Sequence, residues 1–280
     1  MGRRPRGGKA TGFTLLELMG VLALMAMLAA VLAPATARRF QRARAEKESH
    51  ALATLGDGLL RVAREKQSIP GPQSWVPELA LHLGWSPDEV LYVDRQNGTN
   101  TRVLLVHPGF TPGDAAASGA LWVHNSDSVS TVTNARVLLL SSLRPDLSLP
   151  VVSGVAASAQ SFEVLWNWSL NPETRAAPTG WPASWSGQGA ALRLHRINFR
   201  PEFKRVTLSN LHYPGVAPAI QWNGGLLTPL TGSATFETWC LQGTSLRLFQ
   251  HEPAGGVLQL SHTVLEAVNF IYSSNRWLLP

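Results

Sequence analysis

Gly12-Phe13-Thr14-Leu15-Leu16-Glu17 opens the run FTLLELMGVLALMAMLAAVLA, Phe13 to Ala33, and the reading of this stretch decides the fold of the chain. A helix needs about 20 apolar residues to cross the hydrocarbon core of a bilayer, and the run has that length. Glu17 is its only charge. An ionised carboxylate at the head of a membrane helix is costly when unpaired, so such a residue generally has a functional reason. Upstream, Arg3, Arg4, Arg6 and Lys9 give the leader four positive charges and no negative one, a composition that holds it in the cytoplasm.

Arg38, Arg39, Arg42 and Arg44 follow the run closely, so charge counting does not orient it by itself. The motif does. The basic leader MGRRPRGGKAT, Gly12, an opening Phe13, Glu17 as the fifth residue from there and Pro34 as the twenty-second resemble the processing signal of type IV pilins and type II secretion pseudopilins. The likeness extends from Met1 to about Leu55. It implies that a prepilin peptidase cuts after Gly12 and methylates the new amine, leaving N-methylphenylalanine at Phe13. Because that cut precedes the apolar run, the run stays with the mature chain. A secretory signal peptide has its small-residue cleavage site after a shorter apolar core. The resemblance also implies that Glu17 pairs with the Phe13 amine of an adjacent subunit during assembly. An ammonium partner offsets most of the desolvation cost of a buried carboxylate. The alternative is a Glu17 that snorkels to the cytoplasmic headgroups.

Pro34 removes a backbone donor and crowds the preceding turn of any helix it interrupts. It could end the span. The sequence beyond it, ATARRFQRARAEKESHALATLGDGLLRVAREK, favours helix, so a kinked helix from Phe13 to about Lys66 is expected, roughly 80 Å long. Leu52, Leu55, Leu59 and Val62 recur at helical spacing and mark one apolar face. Gly56 and Gly58 weaken that helix by up to about 1 kcal/mol each. Ser68-Ile69-Pro70-Gly71-Pro72 stops it.

Of the 24 Lys and Arg, four lie in the leader, leaving 20 against 18 acids, a net +2 for the mature chain. A basic pI therefore does not point to nucleic acid. Arg38 to Lys47 forms a local basic cluster beside the span, a solvated helix face near lipid headgroups. Cys240 is the single cysteine, so the chain has no internal disulfide, and the C-terminal disulfide-bounded loop of many type IV pilins cannot form. Its alternating setting, TFETWCL, predicts a buried strand residue rather than a reactive thiol.

Past Pro72 the texture changes to short apolar runs between Gly, Pro, Asn and Ser. A short helix is expected over Trp75 to Gly84, and Ser86-Pro87-Asp88-Glu89 reads as a capping box. Strands are expected over 102–106, 120–124, 136–141, 161–166, 191–199, 205–210, 235–241, 245–251 and 257–262. Asn97-Gly98, Asn223-Gly224 and Ala254-Gly255-Gly256 are turn signals. Val264, Val268 and Ile271 have helical spacing, which predicts a short closing helix within Thr263 to Ser273.

Ten tryptophans raise the possibility of a stacking surface, although core packing is the usual reason for them. Trp166 and Trp168 are expected on one strand face. Trp181 and Trp185, in a Pro-, Gly- and Ser-rich loop, are the better candidates for an exposed, glycan-binding contact. His195, His212, His251 and His262 lack metal-ligand spacing, and no HExxH, nucleophile elbow, phosphate loop or dinucleotide fingerprint occurs. Asp88, Glu89 and Asp94 are too sparse for a calcium loop.

The expected architecture is α+β and pilin-like, with a long kinked N-terminal helix, transmembrane in its first half, packed on a C-terminal β-rich domain. Residues 1–12 form the leader, 13–33 the transmembrane segment, 34–67 the helix continuation and 68–280 the globular domain. The expected function is non-enzymatic and cofactor-free: a bacterial inner-membrane, single-pass subunit with its globular domain periplasmic or extracellular. A minor pseudopilin of a type II secretion system comes first, then a minor type IV pilin, then a membrane-tethered binding module. Its expected partners are prepilin peptidase, other pilin or pseudopilin subunits, the inner-membrane assembly platform and the lipid bilayer, with no nucleic acid. Gly12 and Phe13 are the processing residues, Glu17 and Pro34 the assembly residues, and no catalytic or metal residue is assigned.

Overall fold

The computed structural model describes residues 15–94, 99–110, 134–150, 158–213, 215, 217–230, 234–250 and 256–280. The chain falls into two compact units, the first ending at Lys47 and the second spanning Glu48–Pro280. Helix α1, Leu15–Lys66, belongs to both and continues through Pro34. The proline does not end it. Beside the proline, the Thr36 hydroxyl donates to the carbonyls of Leu32 and Ala33, at 3.1 and 2.9 Å.

In the first unit the large apolar side chains of α1 are all exposed, from 42% at Val21 to 82% at Leu16. This helix is long and apolar enough to cross a membrane, as a span or a signal anchor does.

The second unit begins with the amphipathic end of α1. Leu52, Leu55, Leu59 and Val62 are each no more than 1% exposed. They form a core with Trp75 and Leu79 of α2 (Trp75–Leu83) and Val90 of α3 (Pro87–Leu91). Helix α3 has the expected capping box, with Ser86 and Glu89 each satisfying the other's backbone N–H. Strands β1 (Tyr92–Asp94) and β2 (Thr99–Thr101) pair antiparallel; the Asn97-Gly98 turn signal lies outside the described residues.

Strands β3 (Val103–Val106), β4 (Arg136–Ser142) and β5 (Leu192–Asn198) form an antiparallel sheet whose central strand, β4, is buried on both faces. Leu104, Val106, Val137, Leu139 and Ile197 join the core under α1. Leu105, Leu138 and Leu140 face the other way, onto Phe162 and Leu165. Those two residues lie on helix α4 (Ala159–Asn167), where the sequence pattern predicts a strand. The helix forms because Ser158 caps it, accepting from the Ser161 N–H, and because Phe162, Leu165 and Trp166 fall at i, i+3 and i+4. The strand expected at 120–124 lies outside the described residues.

The rest is two four-stranded sheets. One has the order β11 (Leu258–Val264), β10 (Thr244–Phe249), β7 (Ala219–Trp222), β8 (Leu227–Pro229). The other has the order β13 (Arg276–Leu278), β12 (Val268–Ser273), β6 (Phe203–Asn210), β9 (Thr235–Leu241). Val206, Leu208, Cys240, Phe270 and Tyr272 of one sheet pack against Ile220, Trp222, Leu246, Leu248 and Val264 of the other. All neighbours are antiparallel except β12 and β6. The closing helix expected within Thr263 to Ser273 is thus two strand segments. Alternation decides it, since Phe270 and Tyr272 both point into the core. Asn223 and Gly224 both adopt positive φ, 43° and 74°, as a type I′ turn requires.

Candidate functional site

The candidate assembly surface is the part of α1 in the first unit. Gly12 and Phe13, the expected processing residues, lie outside the described residues. Glu17 is exposed in the first turn of α1, where the helix dipole favours a carboxylate by about 0.3–1 kcal/mol. Ala26, Ala29, Ala30 and Ala33 follow the i, i+3, i+4, i+7 spacing and make a shallow stripe along the helix. Such stripes let membrane helices approach closely. Pro34 follows the last of these alanines.

Glu48 opens the second unit and is the first buried residue of α1. Its carboxylate accepts two parallel bonds from Arg102, Nε to Oε1 and Nη2 to Oε2, both 2.8 Å. The two side chains are 4% and 5% exposed. Arg102 Nη1 also donates to the carbonyls of Glu89 and Val90, so the guanidinium joins α1 to the end of α3. The sequence reading missed this pair, yet a signal was there. Glu48 lies four residues before Leu52, on the same apolar face, where a charge calls for a buried partner.

At its other end α1 is fastened again. Arg64 makes a bidentate ion pair with Glu202, at 2.6 and 2.7 Å, and that bond holds the Arg64 pKa up. Gln67, in the left-handed region at φ 54°, ends the helix. Its amide donates to the Gln242 carbonyl and its Oε1 accepts from the Thr244 hydroxyl. Gly56, read from the sequence as a weak point, sits under the His195 ring: a Cβ there would lie 2.5 Å from both Cδ2 and Nε2. Burial lowers the His195 pKa, against an upward pull from Asp57.

The expected tryptophan contact is not an exposed pair. Trp185 is 1% exposed, donates to the Ser148 carbonyl at 3.1 Å and meets Trp181 edge-on at 4.8 Å. Its loop folds over a small core with Leu147, Ala191 and Leu192, which the polar composition of the loop concealed. Trp166 lies on α4 and Trp168 just past it, not on a strand. The Arg136 guanidinium sits 5.0 Å from the Trp166 ring and 5.6 Å from Phe162, held there by Glu163. Cys240 is buried as expected, and burial pushes its thiol up to about 12. Among the described residues, no three His, Cys, Asp or Glu side chains are grouped to hold a metal ion.

No family model, curated protein or solved structure matches this chain.

Proposed function

We propose that the chain is a non-enzymatic, pilin-like filament subunit, anchored by the apolar half of α1 in a bacterial inner membrane with its second unit on the far side. The observation that carries this is one helix with two characters. Its first part is apolar on all sides, with a single carboxylate, Glu17, in its first turn. Its last part supplies the buried stripe of a β-rich unit. A leader ending in Gly12, immediately before Phe13, completes the pattern. In this reading prepilin peptidase cleaves and methylates at Gly12 and Phe13, and the helix, kinked at Pro34, packs among other pilin or pseudopilin helices as the assembly platform extracts it. The solitary Cys240 favours a minor pseudopilin of a type II secretion system over a minor type IV pilin with a disulfide-bounded loop. The burial of Trp185 weakens the case for a glycan-binding tether.

Glu17 provides the test. Replacing it with Ala removes the only charge from the apolar run, so membrane levels are expected to hold or rise, insertion scales penalising a central acidic residue by about 2.5–3.5 kcal/mol and a terminal one less. Incorporation into filaments is expected to fall, because a neighbour's Phe13 amine then enters the filament core unpaired, and breaking a buried pair costs about 3–5 kcal/mol. Equal incorporation of wild type and Glu17→Ala would refute the pairing role.

A further inference from the structure

In the second unit five of the twelve described arginines, Arg64, Arg102, Arg136, Arg144 and Arg205, pair with a carboxylate, and those without one are scattered over its surface. At the end of the apolar run, Arg38, Arg39, Arg42 and Arg44 are all exposed, and among the described residues none of the four has a carboxylate partner. The acids nearest to them in sequence are Glu46, which is exposed, and Glu48, which is committed to Arg102.

The four spread round the helix rather than forming the single solvated face expected of the cluster. At about 100° per residue, Arg38 and Arg42 share a side, Arg39 sits roughly 100° round and Arg44 roughly 240° round. A partner helix or a docking protein would cover one side of such a helix and leave charge stranded on the others. A bilayer surface surrounds the helix. The heights agree: Arg38 and Arg39 lie about 8–9 Å beyond Ala33, Arg42 about 13 Å and Arg44 about 16 Å. The interfacial layer occupies about 5–8 Å on each side of the hydrocarbon, and arginine side chains reach several ångströms back along a helix to place their charge in it. The guanidinium fork also matches phosphate oxygens two at a time.

We propose that Arg38, Arg39, Arg42 and Arg44 form a collar that binds the phosphates of anionic phospholipids in the leaflet where the helix leaves the membrane. This rests on the reading of Leu15 to Ala33 as a membrane span. The collar holds a waiting subunit at a fixed depth, and the subunit must surrender its lipids to leave the bilayer.

The test uses the full chain reconstituted in phosphatidylcholine vesicles containing phosphatidylglycerol. Electron paramagnetic resonance of spin-labelled phosphatidylglycerol and phosphatidylcholine reads which lipid occupies the motionally restricted shell around the protein. Wild type is expected to enrich phosphatidylglycerol by on the order of two- to fivefold. The enrichment should shrink in about 1 M salt, where the Debye length is about 3 Å. A variant with all four arginines changed to Gln is expected to lose the collar's share of it and keep the share that the leader's four cations contribute. The corresponding four-Lys variant, which keeps charge and helix propensity, should retain both. The leader's cations are unchanged in every variant, so the difference between variants isolates the collar. Equal enrichment in wild type and the four-Gln variant, with both resisting alkaline carbonate extraction, would overturn the collar and leave the span standing. Extraction of wild type by carbonate would overturn the span and the collar with it.

Discussion

Removing the Glu48 carboxylate should destabilise the second unit more than any surface change. In Glu48→Ala, Arg102 loses both 2.8 Å bonds while its guanidinium stays almost fully buried. It keeps only the carbonyls of Glu89 and Val90. Breaking a buried ion pair on one side costs about 3–5 kcal/mol. The upper part of that range is expected, because Arg193 also depends on Glu48: burial lowers its pKa and the Glu48 charge opposes that shift. The substitution leaves two cations in a poorly solvated place with no counter-charge. For a unit of this size about 1 kcal/mol shifts Tm by about 2–4 °C, so a loss of about 4–5 kcal/mol should lower Tm by roughly 8–20 °C. Thermal and urea unfolding of a fragment covering Arg44 to Pro280, followed by circular dichroism, would measure it. The double variant Glu48→Leu with Arg102→Met should recover much of the stability, short of about 1–3 kcal/mol for the carbonyls that lose their donor. A single-variant loss below about 1 kcal/mol, or a double variant worse than Glu48→Ala, would refute the argument.

Gly56→Ala should destabilise by about 1–2 kcal/mol despite the better helix propensity of Ala, since the new Cβ would overlap His195 and overpacking costs about 1–3 kcal/mol. Adding His195→Ala should turn the same change neutral or favourable, as read by urea midpoints. Cys240 should resist thiol reagents at pH 8 in the native state and react once unfolded, because with its thiol pushed up to about 12 only about one molecule in 10⁴ carries a thiolate. The linkage has a fixed sign. The folded pKa lies above the ordinary thiol value of 9.0, so the thiol's contribution to stability is present below about pH 9 and lost as pH rises toward 12. A Cys240→Ala variant should show a shallower alkaline decline between those limits.

Periodicity made α1 legible from the sequence, because Leu52, Leu55, Leu59 and Val62 all fall on one side of a 3.6-residue repeat. The same stripe shows that α1 from Glu48 onward supplies core to the second unit. The capping box of α3 was legible because both of its residues are local. Short apolar runs were not. Ser161 to Trp166 fits a strand by residue type and a helix by spacing, and the Ser158 cap tips the balance. Val268 to Ser273 fits either period, and its parallel pairing with β6 comes from contacts some sixty residues away, which no local pattern encodes. Glu48 and Arg102 are likewise 54 residues apart in the chain. At the candidate site, Glu17 and Pro34 stood out because each breaks the rule of the segment around it. The arginine collar stood out in sequence as a charge cluster, but its lack of carboxylate partners needed the structure.

The N-terminus of the mature protein separates a processed filament subunit from a plain membrane anchor. Intact-mass and fragment-ion mass spectrometry of the chain purified from its native membrane would read it directly. The expected species begins at Phe13 and carries one methyl group on its α-amine, with Gly12 and everything before it gone. A chain that still begins at Met1, or one that begins beyond Ala33, would contradict the filament-subunit reading.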